Sequence, residues 1–255
     1  MDVQSLLDLT EKTLDEVLPK ADERPAALSE AMRYAVGTGG KRIRPLICLA
    51  SAVAVGGNPE DARYPAAAIE LLHNYTLVHD DLPSMDNDTE RRGKPSVWVK
   101  FGEANATLAG DALQALAFEV AAKTPRSAGE IVMALGKAGV GVVQGQVEDI
   151  AETGDVDFIY THKTADLFIA AAVMGGYAGG GSEADVEALG KFALNLGLAF
   201  QYEDDLLDGD SPFSCERTEA LVRETTGAAV AALASLPGDT SFLKSLAERL
   251  VGRKA

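Results

Sequence analysis

Two groups of aspartates stand out as side chains that could act together. The first comprises Asp80, Asp81, Asp86 and Asp88, which fall within nine residues after a long apolar run. Clustered carboxylates repel one another unless a cation joins them, and hard oxygen ligands suit Mg²⁺, which often links protein carboxylates to phosphates. Because Pro83 cannot continue a helix, the chain is expected to unwind here. Taken alone, this run fits a solvated acidic turn equally well.

The second group, Asp204, Asp205 and Asp208, ends another Leu/Ala-rich run. Positions 204 and 208 are four apart, which places both carboxylates on one helical face. Two like charges one turn apart destabilise a helix slightly, and a bound metal ion would offset their repulsion. The pattern therefore indicates a metal site. Two such groups facing each other across a cavity would hold a diphosphate through several metal ions.

Cations accompany the acids. Lys41, Arg42 and Arg44 lie in Gly39-Gly-Lys-Arg-Ile-Arg-Pro45, and Arg91, Arg92 and Lys94 follow the first aspartate group. Guanidinium groups can bind phosphate through two hydrogen bonds, and a helix N-terminus attracts anions. Both groups of cations therefore suit a diphosphate. If the group at 39–45 stood alone, we would interpret it as an exposed basic loop.

These motifs, in this order, resemble the trans-polyprenyl diphosphate synthase family, and its bacterial short-chain, farnesyl diphosphate synthase-like members most. The resemblance rests on Gly39–Pro45, His73, Asp80–Asp86, Arg91–Gly93, Gly110-Asp111, Gln146 with Asp149, Lys163-Thr164, and Gln201 with Asp204–Asp208. It covers about residues 30–208. It implies an all-α fold, an isoprenoid synthase (class I terpenoid synthase-like) helical bundle around a central cavity.

The resemblance also implies a reaction, the head-to-tail condensation of isopentenyl diphosphate with an allylic diphosphate such as dimethylallyl or geranyl diphosphate. Its expected catalytic residues are Asp80, Asp86, Arg91, Lys163 and Asp204, of which the aspartates would hold three Mg²⁺ ions. Its expected substrate-binding residues are Lys41, Arg44, His73 and Arg92 for isopentenyl diphosphate, with Arg91, Lys163, Thr164 and Gln201 on the allylic side. Without this resemblance, we would interpret His73 as a core histidine, and Lys163 and Thr164 as surface residues.

Product length depends in this family on side chains just before the first aspartate group. Here these are Tyr75 and Thr76, four to five residues before Asp80. A tyrosine at this depth would stop the growing tail early, whereas a small residue would let it pass. We therefore expect a C15 product over C10 or C20, although Tyr75 also suits plain packing.

The chain departs from the family pattern after Asp208. A Gly-Lys segment and a lysine that helps to cover the allylic diphosphate are expected there, but the chain continues as Gly209-Asp-Ser-Pro-Phe-Ser-Cys-Glu-Arg217. We therefore interpret this point in the chain as a deletion beside the active site. Arg217 and Arg223 could replace the lysine, although a surface role is the more ordinary reading.

Length, net charge and apolar runs restrict the number of domains, the binding partners and the location that we expect. A length of 255 residues suits one domain over residues 1–255, shortened after Asp208. A net charge of −16 argues against binding nucleic acid or an anionic membrane. The start Met1-Asp-Val-Gln carries an acid where a signal peptide needs cations, and no apolar run is long enough to span a bilayer. We expect a cytoplasmic protein and, from the resemblance, a homodimer in which the helix near 103–122 packs against its copy.

Apolar residues recur at helical spacing throughout, and no strand is expected. The predicted helices cover residues 2–18, 25–36, 45–55, 61–79, 103–122, 127–138, 139–150, 157–179, 183–207, 216–235 and 239–252.

Two other functions compete. A terpene cyclase would share the metal ligands but would not need the basic loop or His73. A weakly active or non-catalytic partner subunit of a prenyltransferase would explain the missing segment, although it would not need both complete aspartate groups.

Overall fold

The chain is a bundle of helices in the computed structural model, which describes residues 2–209 and 211–249. In chain order the helices are α1 (Val3–Val17), α2 (Ala26–Gly37), α3 (Ile43–Ala54), α4 (Arg63–Asp80), α5 (Val97–Phe101), α6 (Glu103–Ala122), α7 (Ala128–Ile150), α8 (Val156–Ile159), α9 (Asp166–Ala178), α10 (Glu183–Asp208), α11 (Cys215–Ala232) and α12 (Ser241–Glu248). The 3-10 turns Pro59–Ala62 and Leu233–Ser235 and a π-helical turn at Tyr160–Ala165 complete the helical structure. The prediction of an all-α fold is confirmed.

Helix α4 lies at the centre of the bundle. It packs against α3, α6 and α9, and its three consecutive alanines at 66–68 are fully buried with Leu71 and Leu72. Alanines on several faces let neighbouring helices approach closely, while the leucines fill the space between them. The burial of this helix fixes the direction in which its last turn, with the first aspartate group, emerges.

Helix α7 runs without a break through the point where the sequence predicted two helices, 127–138 and 139–150, so that boundary was wrong. Glycines within it are required by close packing. A Cβ on Gly145 would lie 2.4 Å from the backbone nitrogen of Lys163, and one on Gly141 would overlap the Asp166 carboxylate. The glycines therefore let the π-helical turn lie directly against α7.

Other boundaries also differ from the prediction. The predicted helix at 157–179 is divided into α8, the π-helical turn and α9, and α3 begins two residues earlier than expected. The sequence analysis missed α5 and a hairpin of two short antiparallel strands, β1 (Glu90–Arg91) and β2 (Lys94–Pro95). The end of the last predicted helix, residues 250–252, lies outside the described residues.

Among the helices of the described chain, none is both long enough and apolar enough to cross a membrane.

Candidate active site

The basic loop before α3 is anchored by its middle arginine. Arg42 adopts a left-handed backbone conformation with φ of 49° and is buried. Its guanidinium donates to Glu11 at 2.7 Å, to the buried Glu70 at 2.8 Å and to the carbonyl of Val36 at 2.8 Å. The Arg42 side chain therefore holds the basic loop to α1 and α4.

Arg44, the second residue of α3, meets His73 of α4. Arg44 Nη1 lies 3.3 Å from His73 Nε2, and its guanidinium carbon lies 4.9 Å from the centroid of the Phe168 ring. Two buried nitrogens here, Arg44 Nε and His73 Nδ1, have no hydrogen-bond partner among the described residues. Because such atoms are costly to leave unpaired, they suit a ligand with acceptor oxygens.

Burial controls the charge of this pair. It lowers the pKa of Arg44 to about 10, so the guanidinium stays charged at neutral pH. Burial also holds the pKa of His73 well below its usual range, and the positive charges of Arg44 and Arg92 lower it further. His73 is therefore a neutral imidazole beside an arginine cation.

The first aspartate group occupies the turn after α4, as expected. α4 ends at Asp80, and the backbone N–H of Asp86 donates to the carbonyl of Asp80 at 2.9 Å, which closes the turn. Burial raises the pKa of Asp80 to about 6; the positive charge of Lys163 opposes this rise, and the negative charge of Asp86 adds to it. The charged form of Asp80 is thus opposed by Asp86 and favoured by Lys163.

The neighbouring Asp81 is turned inward. Its carboxylate is buried and accepts hydrogen bonds from Nε, at 2.9 Å, and Nη2 of Arg91. Burial raises the pKa of Asp81, and the hydrogen bond from Arg91 opposes that effect. Exposed Asp88 accepts a further bond from Arg91 Nη2 at 3.1 Å.

Arg92 follows in the hairpin and reaches the basic loop. It has a left-handed backbone with φ of 55°, and its Nη1 donates to the carbonyl of Gly39. A Cβ on Gly40 would lie 2.7 Å from the same nitrogen, so the loop needs glycine there. The hairpin and the loop are thereby joined.

In the second aspartate group the two adjacent acids have different environments. Asp205 is buried and accepts hydrogen bonds from the Tyr160 hydroxyl and from Gln201 Nε2, the latter at 2.9 Å. Thr164 Oγ1 in turn donates to Gln201 Oε1 at 2.8 Å. This network joins the π-helical turn to α10, while half-buried Asp204 lines a cavity.

Lys163 is held by an acid from α7. Its Nζ lies 2.5 Å from Asp149 Oδ2, and both side chains are partly exposed. Because the charge of Lys163 opposes the rise that burial causes in the pKa of Asp80, Lys163 lies within electrostatic reach of the first aspartate group.

One cavity of about 740 Å³ gathers most of the predicted diphosphate-binding side chains. Its walls include Lys41, Arg44, His73, Arg91, Arg92 and Asp204. Leu77 and Phe200 add apolar surface to the same cavity. The residues thus come from α3, α4, α10, the basic loop and the hairpin, which are far apart in sequence. Asp80, Asp86, Lys163, Thr164 and Gln201 are not among the side chains that line it.

Within the described ranges, 2–209 and 211–249, no three carboxylate, imidazole or thiolate groups are already gathered as a metal site. The oxygen donors present nevertheless fit Mg²⁺. Asp80 and Asp86 share one turn, and the negative charge of Asp86 disfavours ionisation of Asp80, which a cation between them would relieve. Asp204 would join them through a bound diphosphate.

The two predicted length-determining residues differ in their surroundings. Tyr75 is buried, and its ring lies 4.9 Å from that of His79. Thr76 donates its hydroxyl to the carbonyl of His73 within its own helix.

After Asp208, side chains within residues 211–218 contact one another and α10. Ser211 Oγ lies 2.7 Å from Thr218 Oγ1, and the Phe213 ring packs against Tyr202. Arg217 pairs with Glu224. Arg223 likewise pairs with Glu219, and neither arginine lines the 740 Å³ cavity. The surface role is therefore the one that the structure supports for both.

The sequence analysis gave Asp81, Asp205 and Asp149 no role of their own. It counted Arg42 among the cations suited to a diphosphate, whereas in the structure Arg42 holds the basic loop in place. Asp81 and Asp205 carried a signal, since each stands beside a predicted metal ligand in an Asp-Asp pair. Nothing in the sequence indicated which member of each pair faces inward, because that depends on how α4 and α10 are rotated in the bundle.

Comparison with known proteins agrees with these features. The model of the polyprenyl synthetase family matches residues 25–213. The chain belongs to this family. It is 44% identical over 221 residues to the heterodimeric geranylgeranyl pyrophosphate synthase large subunit 1 of Arabidopsis thaliana, covering 79% of this chain and 58% of that protein. It is 46% identical over 213 residues to the chloroplastic geranylgeranyl pyrophosphate synthase of Capsicum annuum, covering 77% and 57%. The chain thus spans less than two thirds of the length of these two relatives.

Solved structures of the family match over nearly the whole chain. An FPP/GFPP synthase from Zymomonas mobilis superposes with a TM-score of 0.89 at 33% identity and 98% coverage of both chains. A geranylgeranyl pyrophosphate synthetase from Pyrococcus horikoshii gives a TM-score of 0.88 at 29% identity, covering 98% of this chain and 99% of the other. The predicted isoprenoid synthase bundle is therefore confirmed.

Proposed function

We propose that the protein is a Mg²⁺-dependent trans-prenyltransferase that condenses isopentenyl diphosphate with an allylic diphosphate, head to tail. The observation that carries this proposal is the 740 Å³ cavity. It combines five arginine and lysine side chains with Asp204 and with buried nitrogens that lack partners among the described residues. Family membership and the relatives' names support the same reaction.

The roles of the side chains follow from their positions. Lys41, Arg44, His73 and Arg92 hold the diphosphate of isopentenyl diphosphate on the side of the basic loop. Neutral His73 accepts or donates a hydrogen bond without adding charge. Asp80, Asp86 and Asp204 would hold Mg²⁺, which would supply charge neutralisation of the leaving diphosphate.

Arg91 and Lys163 stabilise the charge that develops on that diphosphate as the allylic C–O bond breaks. Thr164, the residue after Lys163, is held in place by its hydrogen bond to Gln201. The double bond of isopentenyl diphosphate then attacks the allylic cation, and the new C–C bond forms. A proton leaves the adjacent carbon to the departing diphosphate, so no protein nucleophile is required. Phe200 and Leu77 exclude water that would capture the cation.

We propose C15 as the product, on the basis of Tyr75, which lies buried one turn and a half before Asp80. The curated relatives named above are geranylgeranyl synthases, and their names favour a C20 product. C20 is therefore the second candidate, and C10 the third.

We also propose a homodimer of single-domain subunits. Large apolar side chains are exposed along one face of α7 and on the adjoining α6: Leu108, Met133, Val140, Val143, Val147 and Ile150. Contiguous exposed apolar surface of this kind marks protein interfaces. The face lies mainly on α7, whereas the sequence analysis pointed to α6. A Val140→Lys change should shift the mass measured by light scattering toward the monomer, whereas Val3→Lys, on α1, should not.

A partner subunit of low activity is the competing function. It is favoured by the lack, in the sequence after Asp208, of the lysine expected there, and by the naming of two relatives as large subunits of heterodimeric synthases. The expected cytoplasmic location stays a prediction, since other relatives are named as chloroplastic.

Turnover decides between these functions. The purified protein is incubated with Mg²⁺, isopentenyl diphosphate and either dimethylallyl or geranyl diphosphate, and products are identified by mass. We expect a C15 prenyl diphosphate that disappears when Mg²⁺ is chelated. Absence of product from a folded protein would favour the partner-subunit function.

A further inference from the structure

The arginine expected to grip the allylic diphosphate is itself held by one buried carboxylate. Asp81 is the C-cap residue of α4, and only 3% of its side chain is exposed. It lies in a tight space between α2, α4 and the start of α5, beside Tyr34, Asn74 and Val97. Asp81 is thus directed away from the open end of the turn that carries Asp86.

Both hydrogen bonds to Asp81 come from one edge of the same guanidinium. Arg91 Nε and Nη2 donate to the single oxygen Oδ1 of Asp81. Arg91 also lines the 740 Å³ cavity, and its third nitrogen, Nη1, takes no part in the two bonds to Asp81. Because the guanidinium is a rigid planar fork, fixing one edge also fixes where its remaining donors point.

The backbone around Arg91 offers little other restraint. Arg91 belongs to a two-residue strand in an exposed hairpin, and the turn from Pro83 to Thr89 is exposed. Its second carboxylate partner, Asp88, is 51% exposed and lies on that turn. An exposed ion pair contributes little, so Asp81 is the stronger anchor.

We propose that Asp81 is a positioning residue for the allylic diphosphate: it orients Arg91 and is not a metal ligand. This inference rests on the proposed function and deepens it. In the Asp80-Asp81 pair, Asp80 is thereby assigned to the metal ions and Asp81 to Arg91.

Binding of a non-reactive analogue tests the inference directly. Geranyl S-thiolodiphosphate is titrated calorimetrically, with Mg²⁺ in excess, into wild type, Asp81→Asn and the matched control Asp88→Asn. Asp81→Asn keeps the size of the side chain but loses the charge that fixes the guanidinium. We expect its Kd to rise by about tenfold or more and that of Asp88→Asn by less than about threefold, in line with the strength of buried and exposed charge-assisted bonds.

A double-variant cycle separates positioning from general structural damage. In an Arg91→Ala background, Asp81→Asn should weaken analogue binding no further, since it acts through Arg91. The KM for isopentenyl diphosphate and the Mg²⁺ concentration for half-maximal turnover should stay at their wild-type values. Equal losses with and without Arg91, or a shifted Mg²⁺ requirement, would overturn the inference.

Two controls keep the test decisive. If Asp81→Asn does not fold, Asp81→Glu keeps the charge but displaces the carboxylate by one methylene, and it should weaken analogue binding as well. If wild type binds the analogue and the Asp81 variants bind equally tightly, only this inference fails. If wild type neither binds the analogue nor forms product, the proposed function itself fails.

Discussion

Arg44 Nη1 lies 3.3 Å from His73 Nε2 in the floor of the cavity, so a buried cation and an imidazole share one wall. Since burial and the nearby arginines keep the imidazole neutral, the pair carries one positive charge rather than two. It therefore presents a charged donor and a neutral polar group to the same ligand.

This pairing makes stability depend on pH. The pKa of His73 is lowered in the folded protein. Below about pH 6.5, His73 therefore binds a proton in the unfolded chain but stays neutral in the folded protein. The contribution of His73 to stability is therefore lost as the pH falls below that value. Urea unfolding at pH 7.5 and 5.5 should show a loss of about 1 kcal/mol from this residue, since each pH unit below the unfolded pKa costs about 1.4 kcal/mol.

The matched variant for this prediction is His73→Gln, which keeps a hydrogen-bonding group but cannot titrate. Its stability should fall less than that of wild type between the same two pH values. An identical fall in both proteins would show that His73 is not responsible.

Removing a predicted metal ligand should abolish turnover and leave the fold intact. In Asp80→Asn or Asp204→Asn the isosteric amide loses the charge that binds Mg²⁺. We expect kcat to fall by at least about a hundredfold, since a metal ion supplies several kcal/mol of transition-state stabilisation. Glu119→Gln, which only breaks an exposed ion pair with Lys123, serves as control. Near-normal turnover with either aspartate variant, at unchanged circular dichroism, would contradict the metal assignment.

Replacing Tyr75 should lengthen the product. The side chain is buried, so Tyr75→Ala opens space where a growing tail could pass. Mass analysis should show products at least one C5 unit longer than those of wild type. Thr76→Val is the neighbouring control, because the Thr76 hydroxyl serves its own helix and the two side chains have similar volumes. An unchanged product from Tyr75→Ala would mean that Tyr75 only packs.

Losing the anchor of the basic loop should destabilise the protein strongly. Arg42→Ala leaves the buried Glu70 carboxylate without its main partner, and breaking such a pair costs about 3–5 kcal/mol. Glu11→Gln removes the more exposed partner of the same arginine and should cost less than about 1 kcal/mol. Urea unfolding of both variants measures the difference, and similar losses in the two would show that burial of the Arg42–Glu70 pair is not decisive.

The sequence by itself determined the helical class and the residues that meet in the cavity. Apolar spacing predicted α6 over residues 103–122 as observed, and the resemblance of the ordered motifs to the polyprenyl diphosphate synthase family indicated Lys41, Arg44, His73, Arg91, Arg92 and Asp204 before their positions were known. Helical periodicity and residue chemistry are local properties, so they can be read from the chain.

Only the tertiary structure decided how these residues are used. Asp81 and Asp205 are buried and bonded to Arg91 and Tyr160, whereas the adjacent Asp80 and Asp204 are only half buried. Adjacent residues on a helix point about 100° apart, so the rotation of α4 and α10 in the bundle selects which acid faces inward. That rotation is fixed by packing between distant segments, and no local pattern in the sequence contains it.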